Sequence, residues 1–533
     1  MFFKAIASYD GVSAMHLKRS LSAAARLFLA LLLLVWAAGC TGHLPAAGEQ
    51  PAPIPVTILF FNDLHGNLMP FEIKTKEGKQ EVGGIARMAA LVRDIRAENN
   101  RSNVRTLVLV AGDILQGTPM STVFRGEPDI ECLNAMGVDA MTVGNHEFDF
   151  GLENFQKLRQ QAAFPFLSAN IMEKESGRPL CAPFLTIPLK GGLALTVIGV
   201  TTDEFLSITE PGNVAKLGVT GALSSVRQAY EQVRARGPVV LLSHNKHRID
   251  REIAAALPDL AAIIGGHDQV LLSPYEQVGS VPMFQAFERG IYLGRVDLRI
   301  DPASRKADLA GYAYLPITAK IAPDPQVDAI VAAYQEKLGT RFREVIGRAD
   351  VFLNGERGRI RYAETALGNF VADIMTAHTG APIALVNSGA MRTSIQKGPV
   401  TVEDVFKTVP FPNELVVIEL TGAEIEQALQ RAVSGSRADE DGGFLQVSGI
   451  AFEVRGRSAV NIRVEADQQP LQARTVYRVA IPDFLANGGD RYTLFKGKEQ
   501  IKTGLPLREL IVDTIRRRGV IAAHEEGRIR RVE

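Results

Sequence analysis

The stretch Gly144-Asn145-His146-Glu147-Phe148-Asp149 follows directly on an apolar run at 140–143. A strand-like segment therefore delivers an amide, an imidazole and a carboxylate into one short turn. An amide oxygen ligates hard metals. An imidazole protonates a leaving group or binds a metal. A carboxylate three residues on can hold that imidazole in one tautomer. Alone, the hexapeptide is compatible with an ordinary turn. It gains meaning because the rest of the chain repeats the arrangement.

Residues 56–61 form an apolar β-type run that ends at Asn62-Asp63-Leu64-His65-Gly66. A second run, 106–110, ends at Ala111-Gly112-Asp113, and a third, 239–242, at Ser243-His244. A fourth, 260–264, ends at Gly265-Gly266-His267-Asp268-Gln269. Between them, 84–98 and 131–136 carry apolar residues at helical spacing, and 193–200 reads as a further strand. Alternating strands and helices imply an α/β sandwich. In such folds, sites collect beyond the carboxyl ends of the strands. Asp63, His65, Asp113, Asn145, His244, His267 and Gln269 are all oxygen or nitrogen donors suited to borderline or hard divalent metals. One Asp or His after a strand is usually a cap. Five such turns in one α/β unit point to a metal site.

At 533 residues the chain exceeds one ordinary core, so two or more domains are expected. Its 59 basic and 59 acidic side chains cancel, which argues against a partner of nucleic-acid polymer type. A small anionic substrate held by a few placed arginines remains open. Basic residues at Lys18, Arg19 and Arg26 precede an apolar run at 27–38 and the sequence Ala37-Ala38-Gly39-Cys40. That run is too short to span a bilayer and suits a signal peptide, with Met15 as the start that gives it the more usual length. The Ala-Gly-Cys ending resembles a bacterial lipoprotein box, which implies lipidation at Cys40. The expected product is an exported protein, periplasmic or at the cell surface, held to the membrane by the lipid anchor only. Residues 41–55 read as a flexible tether. Of the remaining cysteines, Cys132 and Cys181 are free to pair in an oxidising compartment, but the sequence does not decide it.

Together, Asn62-Asp63-x-His65-Gly66, Gly112-Asp113, Gly144-Asn145-His146-Glu147-x-Asp149, Ser243-His244 and Gly265-Gly266-His267-x-Gln269 resemble the calcineurin-like metallophosphoesterases. Their order and spacing resemble the 5′-nucleotidase/UDP-sugar hydrolase branch over nearly all of the chain after Pro55. The resemblance implies a four-layer α/β/β/α metallophosphoesterase sandwich followed by a second α+β substrate-binding domain. It implies two divalent metal ions (Zn, Mn, Co or Fe), with Asp113 bridging. Asp63, His65 and Gln269 match the ligands of one ion, and Asn145, His244 and His267 those of the other. His146 is then the catalytic group beside the leaving oxygen, and Asp149 orients it. Asn245-Lys246-His247 and Asp268 depart from the family pattern. His247 reads as a surface residue, and Asp268 as either a metal-tuning acid or a turn cap.

The expected divisions are a signal peptide at 1–40, the tether, a metallophosphoesterase domain at 56–318, a linker helix at 319–343 and a C-terminal domain at 344–533. In the last, Arg357, Arg361 and Arg392 have the planar forks that suit phosphate. Phe411 and Phe484, on separate loops, can sandwich a flat base. A carboxylate such as Asp490, in the Gly-rich loop 481–490, can accept hydrogen bonds from ribose. Taken singly, such arginines are usually solvated and such phenylalanines usually core. The resemblance favours binding, since Arg357, Arg361, Asn387, Arg392, Phe411, Asn413, Phe484 and Asp490 match the family's nucleotide-binding set. Phe444 reads as structural support. The implied reaction is hydrolysis of nucleoside 5′-phosphates by a two-metal-activated water. Alternatives are UDP-sugar diphosphatase, 2′,3′-cyclic-nucleotide phosphodiesterase, thiosulfohydrolase, or an inactive nucleotide-binding lipoprotein.

Overall fold

The strand Ile54–Phe61 is apolar on both faces, and from Val56 onward every residue in it is buried. Successive side chains in a strand point to opposite sides, so such a strand must be covered twice. Here Ile58 and Phe60 face a second sheet, while Leu59 and Phe61 face helices. The computed structural model describes residues 52–76, 78–465 and 468–532. The expected signal peptide, Cys40 and nearly all of the tether lie outside the described residues, and the strand begins at Ile54, inside the expected tether range.

Ile54–Phe61 lies parallel to Arg105–Val110 and antiparallel to Tyr292–Ile300, within a six-stranded sheet. A second six-stranded sheet is built around Ala194–Thr201, Val239–His244 and Ala262–Gly265, which run parallel. The two sheets share one core in which Leu107 and Leu109 meet Leu195, Val197, Val240 and Leu242. Helices Ile85–Arg101 and Glu127–Met136 cover the outer face of the first sheet. Ala222–Val233 and His247–Ala256 cover the second. This is the expected four-layer α/β/β/α order. Each fully buried Leu or Ile in these layers contributes roughly 1.5–3 kcal/mol, and that burial holds the two sheets face to face.

Residues 292–300 and 307–316 form two antiparallel strands that close the first sheet. The helix expected between the domains is Pro325–Leu338, capped by the Asp324 side chain, which accepts from Gln326 N and Val327 N. It docks on the first lobe. Val327, Val331 and Tyr334 enter that lobe's helix layer, and Tyr334 Oη donates to Glu131 Oε1 at 2.7 Å. Gly339, with φ 71°, ends it. Cys132 and Cys181 are both buried free thiols.

The second lobe is built on a five-stranded sheet with Ile383–Asn387, Val476–Pro482 and Glu414–Thr421 at its centre. Helices Ala366–Thr379 and Leu507–Arg518 pack in one core, and Gly422–Ala432 in another. Phe444 lies in the latter core, consistent with a supporting role. The stretch expected as an open loop at 481–490 contains a short helix, Asp483–Ala486, whose turn is closed by Asn487 N donating to the Asp483 carbonyl at 2.8 Å. Among the described residues, no helix is long and apolar enough to cross a membrane.

Candidate metal centre and active site

Five turns at the carboxyl ends of strands in the two sheets converge on one edge of the sandwich. Asp63, His65, Asp113, His267 and Gln269 all sit in the left-handed region, with φ of 49°, 48°, 54°, 76° and 58°. A non-glycine residue there costs on the order of 1–3 kcal/mol and persists only where its surroundings impose it. The motif glycines supply that confinement. A Cβ on Gly112 would lie 2.5 Å from His244 Nδ1, and one on Gly144 would collide with Asp113 Oδ1. One on Gly266 would collide with the Ala111 carbonyl and lie 3.2 Å from Asp63 Oδ2. The glycines let neighbouring turns press against the donor side chains.

Asp113 is central. His244 Nε2 lies 3.1 Å and His146 Nε2 4.0 Å from Asp113 Oδ2, while His146 N donates to Asp113 Oδ1 at 2.9 Å. His244 Nδ1–H donates to the Ala111 carbonyl at 2.7 Å, which turns Nε2 toward the centre. His267 Nδ1 is 3.3 Å from that Nε2. On the other side, Gln269 Nε2 donates to His65 Nε2 at 2.7 Å, and His65 Nε2 is 3.7 Å from Asp63 Oδ1. Two donor groups result, His65 with Asp113 and His146, and Asp113 with His244 and His267, each with its donor atoms within 4.8 Å. Asp113 belongs to both. Asn145 Oδ1 is buried with no hydrogen-bond partner among the described residues. An orphaned amide oxygen beside mixed imidazole and carboxylate donors fits divalent cations.

The charges are set against one another. Burial pushes the Asp63 carboxyl up to about 6. Burial would raise Asp113 too, but the His244 and His146 imidazoles hold it well below the usual range. His244 goes up to about 10, because Asp113 outweighs the burial that opposes its charge. Burial, with Arg392 for His65 and His244 for His267, lowers the other two imidazoles.

His146 Nδ1–H donates to Asp149 Oδ2 at 2.6 Å, leaving Nε2 toward Asp113. Burial lowers and Asp149 raises the His146 pKa, and the acid wins. Two further groups hold these turns and have no assigned role in the sequence reading. Glu147 accepts from Asp113 N at 3.0 Å, Ile114 N at 2.9 Å and Gly144 N at 2.6 Å, which clamps two turns together. Asn62 Nδ2 donates to Asp63 Oδ2 at 2.8 Å, and Asn62 Oδ1 accepts from Ala286 N at 2.9 Å. Both stand inside the quoted motifs. A buried acid or amide in a Gly-rich turn was their available signal. Asp268 accepts from His247 N at 2.7 Å at the start of a helix, which favours the capping alternative. His247 is half-buried against Glu276, at 2.6 Å.

The second lobe leans over this centre. Arg357 NH1 donates to Gln269 Oε1 at 2.9 Å, and its Nε forms a 2.7 Å ion pair with Glu440. Arg361 NH1 donates to the Glu440 carbonyl at 2.9 Å. Arg392 NH2 reaches to 3.5 Å from His65 Nε2, and its guanidinium carbon lies 5.9 Å from the Phe411 ring centroid. Phe411 stacks on His146, with centroids 5.8 Å apart and planes at 25°. Asn387 Nδ2 donates to Asp490 Oδ2 at 2.8 Å. Burial, aided by Asp441, pushes the Asp490 carboxyl up to about 6.

One cavity of about 290 Å³ touches both lobes, near the low end of the ~300–1,000 Å³ usual for small-molecule sites. Asp113, Asn145, His146, Asp149, His267 and Gln269 line it from the first lobe. Arg357, Arg361 and Arg392, with Phe411 and Phe484, line it from the second, as do Asn387, Asn413 and Asp490. Asp63 and His244 lie deeper, wholly buried. His65 opens on a second cavity of about 1140 Å³ beyond Arg392 and Phe411. Sequence reasoning missed Glu440, which holds Arg357, and Arg431, which donates to the Asp490 carbonyl at 2.8 Å. Glu440 stands in a polar stretch, and Arg431 on the polar side of an amphipathic helix, where a charged residue carries no signal of its own.

Residues 56–271 match the family model described as calcineurin-like phosphoesterase, and 345–497 that described as the 5′-nucleotidase C-terminal domain. The solved 5′-nucleotidase precursor from Thermus thermophilus is 32% identical, with a TM-score of 0.80, over 90% of this chain and 100% of that one. The chain belongs to the 5′-nucleotidase family. Two further relatives align along most of their length. Protein UshA of Yersinia enterocolitica is 29% identical over 84% of this chain and 88% of its own. The 5′-nucleotidase of Homo sapiens is 28% identical over 90% of this chain and 89% of its own. The 5′-nucleotidase family fold is therefore present from end to end of the described lobes.

Proposed function

We propose that this protein hydrolyses nucleoside 5′-monophosphates to nucleoside and orthophosphate. One observation carries the reading: a single cavity is lined by the His146–Asp149 pair and metal donors of one lobe and by arginines and two phenylalanines of the other. Asp63, His65, Asp113 and Gln269 would hold one divalent cation, and Asn145, His244 and His267, with Asp113 shared, a second. Bound there, the cations supply the Lewis acidity that attack of water on a phosphate ester needs at neutral pH.

The chain's own residues do the rest. Arg357, Arg361 and Arg392 bind the phosphate oxygens, where a fixed cation stabilises charge that grows as the ester bond breaks. Asp149 holds the His146 Nδ1 proton, so that Nε2 delivers a proton to the departing 5′ oxygen. Water adds to phosphorus, the P–O ester bond breaks, and the nucleoside leaves as an alcohol. Phe411 and Phe484 stack on the base, while Asp490, held by Asn387 and with Asn413 lining the same cavity, accepts from the ribose hydroxyls. Little covalent chemistry falls to the protein, which suits the lack of a nucleophile triad in the sequence. Export and attachment through Cys40 belong to the same reading, supported by the leader pattern and by a relative described as a precursor.

One observation favours a second reading, hydrolysis of UDP-sugars: the larger cavity beyond Arg392 and Phe411 offers room for a group on the far side of the phosphate. A panel of AMP, ADP, UDP-glucose, a 2′,3′-cyclic nucleotide and a thiosulfate conjugate, assayed with Mn or Zn, tests both. AMP turned over with the highest kcat/KM supports the first reading. No turnover of any nucleotide would sink both.

A further inference from the structure

The two phenylalanines that line the cavity sit on loops that diverge from one pair of strands. Glu414–Thr421 and Val476–Pro482 run antiparallel, with Leu415 opposite Pro482 as the last paired position. Beyond it, one chain leads back to Phe411 and the other on to Phe484. Among the described residues, no strand pairing between the two continues past that point. A side chain spans the gap instead. Asp483 Oδ1 accepts from Phe484 N at 2.8 Å and from Glu414 N at 3.1 Å. One carboxylate oxygen therefore joins the backbone at Phe484 to the backbone three residues beyond Phe411.

The loop at 410–413 is held from behind by the start of the helix Leu507–Arg518. Arg508 NH1 donates to the Pro410 carbonyl at 2.7 Å, and Leu507 N donates to the Asn413 carbonyl at 2.9 Å. Arg508 itself is buried, its guanidinium carbon 3.8 Å from the Phe406 ring centroid. On the other loop, a Cβ on Gly489 would lie 2.5 Å from the Phe484 ring, so the chain packs against that ring directly. Each loop is braced on its own side. The Asp483 oxygen relates one to the other, and Asp483 itself lines the cavity.

We propose that Asp483 is a positioning residue for nucleobase recognition, which sets the spacing of the Phe411 and Phe484 loops through its shared oxygen. The inference rests on the reading of those two rings as a base slot. An aromatic slot gains from stacking only when the gap matches a flat ring, so loosening the tie should weaken base binding and spare phosphate chemistry.

The test is steady-state kinetics on AMP and on ribose 5-phosphate, which lacks the base. Asp483→Ala is expected to raise KM for AMP about tenfold, with kcat and the KM for ribose 5-phosphate within about twofold of the parent. Asp483→Asn keeps the acceptor oxygen and should restore the parent KM for AMP. Asp483→Ser, whose shorter side chain cannot reach Glu414 N, should behave as the Ala variant if that one does not fold. Equal losses on both substrates, or an Asn variant as impaired as Ala or Ser, would overturn the proposal. Phe484→Ala in parallel separates the failures. If it raises KM for AMP while Asp483→Ala and Asp483→Ser do not, only the tie is wrong. If it leaves KM for AMP unchanged, the base slot fails and takes the proposal with it.

Discussion

The two halves of the cavity are built in different ways. In the first lobe, five of the seven donors sit in left-handed turns, pinned by glycines that admit no Cβ and clamped by Glu147 and Asn62. In the second, the arginines are held by exchangeable polar partners: Glu440 and Gln269 for Arg357, and the Glu440 carbonyl for Arg361. The first arrangement is stiff and intolerant of change. On the function proposed above, the second can trade one hydrogen bond for another when a phosphate arrives. Reaction chemistry is preorganised by steric confinement, and recognition is held by polar contacts that a ligand can replace.

The largest effect should come from His146→Ala. Loss of a positioned general acid costs about 10²–10⁴ in kcat, while metal content, read by elemental analysis, stays at the parent level. Turnover near the parent rate on every nucleotide would remove His146 from the mechanism. Next comes a matched pair of glycines. Gly112→Ala places a methyl 2.5 Å from His244 Nδ1 at a φ of +82°, and should abolish metal retention and lower stability by about 1–3 kcal/mol. Gly358→Ala in the second lobe, where the new methyl would lie 3.4 Å from Glu440 Oε1, should leave metal content unchanged. Equal sensitivity of the two sites in metal analysis and thermal melts would erase the contrast between confined and exchangeable construction.

A smaller change is expected from Phe411→Ala. It should raise KM for AMP about 5- to 150-fold, from a stacking loss of ~1–3 kcal/mol, with little change for p-nitrophenyl phosphate. The smallest effect on catalysis is expected at Asp129, where the change falls on stability alone. Asp129 is wholly buried in the first lobe, and burial pushes its carboxyl up to about 8. The unfolded chain loses that proton near pH 4, whereas the folded chain keeps it until about pH 8. The unfolded state therefore binds fewer protons across that window, and stability falls as pH rises from about 4 to about 8. Asp129→Asn should flatten the fall of the melting temperature over pH 5–8 without changing kcat. In the second lobe the buried Asp490, raised only to about 6, should lower stability in the same direction over a narrower window, from about pH 4 to about 6. An unchanged slope in the Asn variant would show that the acid ionises in place.

How much was legible in the sequence follows the same division. The first lobe's site could be read from residues alone, because each donor follows directly on its own apolar strand. Parallel strands then carry those ends to one edge. Asp113 and His244, far apart in the chain, meet for that reason at 3.1 Å. The second lobe's site was legible only through family resemblance. Arg361 and Glu440 meet across two unrelated loops, and no local pattern announces that pairing. Asp483 was invisible for a related reason: its second partner, Glu414 N, lies in a different strand and is a backbone group, which sequence does not distinguish. The connecting helix was legible as a helix from its apolar spacing and Asp324 cap, but not its docking on the first lobe, because an apolar stripe does not say which surface it covers.

That docking has a consequence for recombining such enzymes. The helix Pro325–Leu338 travels with the metal-binding half, since its inward side chains complete that half's interior. A chimaera joined ahead of the helix would strip the donor of part of its core and leave the recipient with an unmatched one. The natural seam is Gly339, where the backbone turns at φ 71° and a side chain would meet no neighbour within 4 Å. Specificity halves from related enzymes should therefore be exchanged at that glycine.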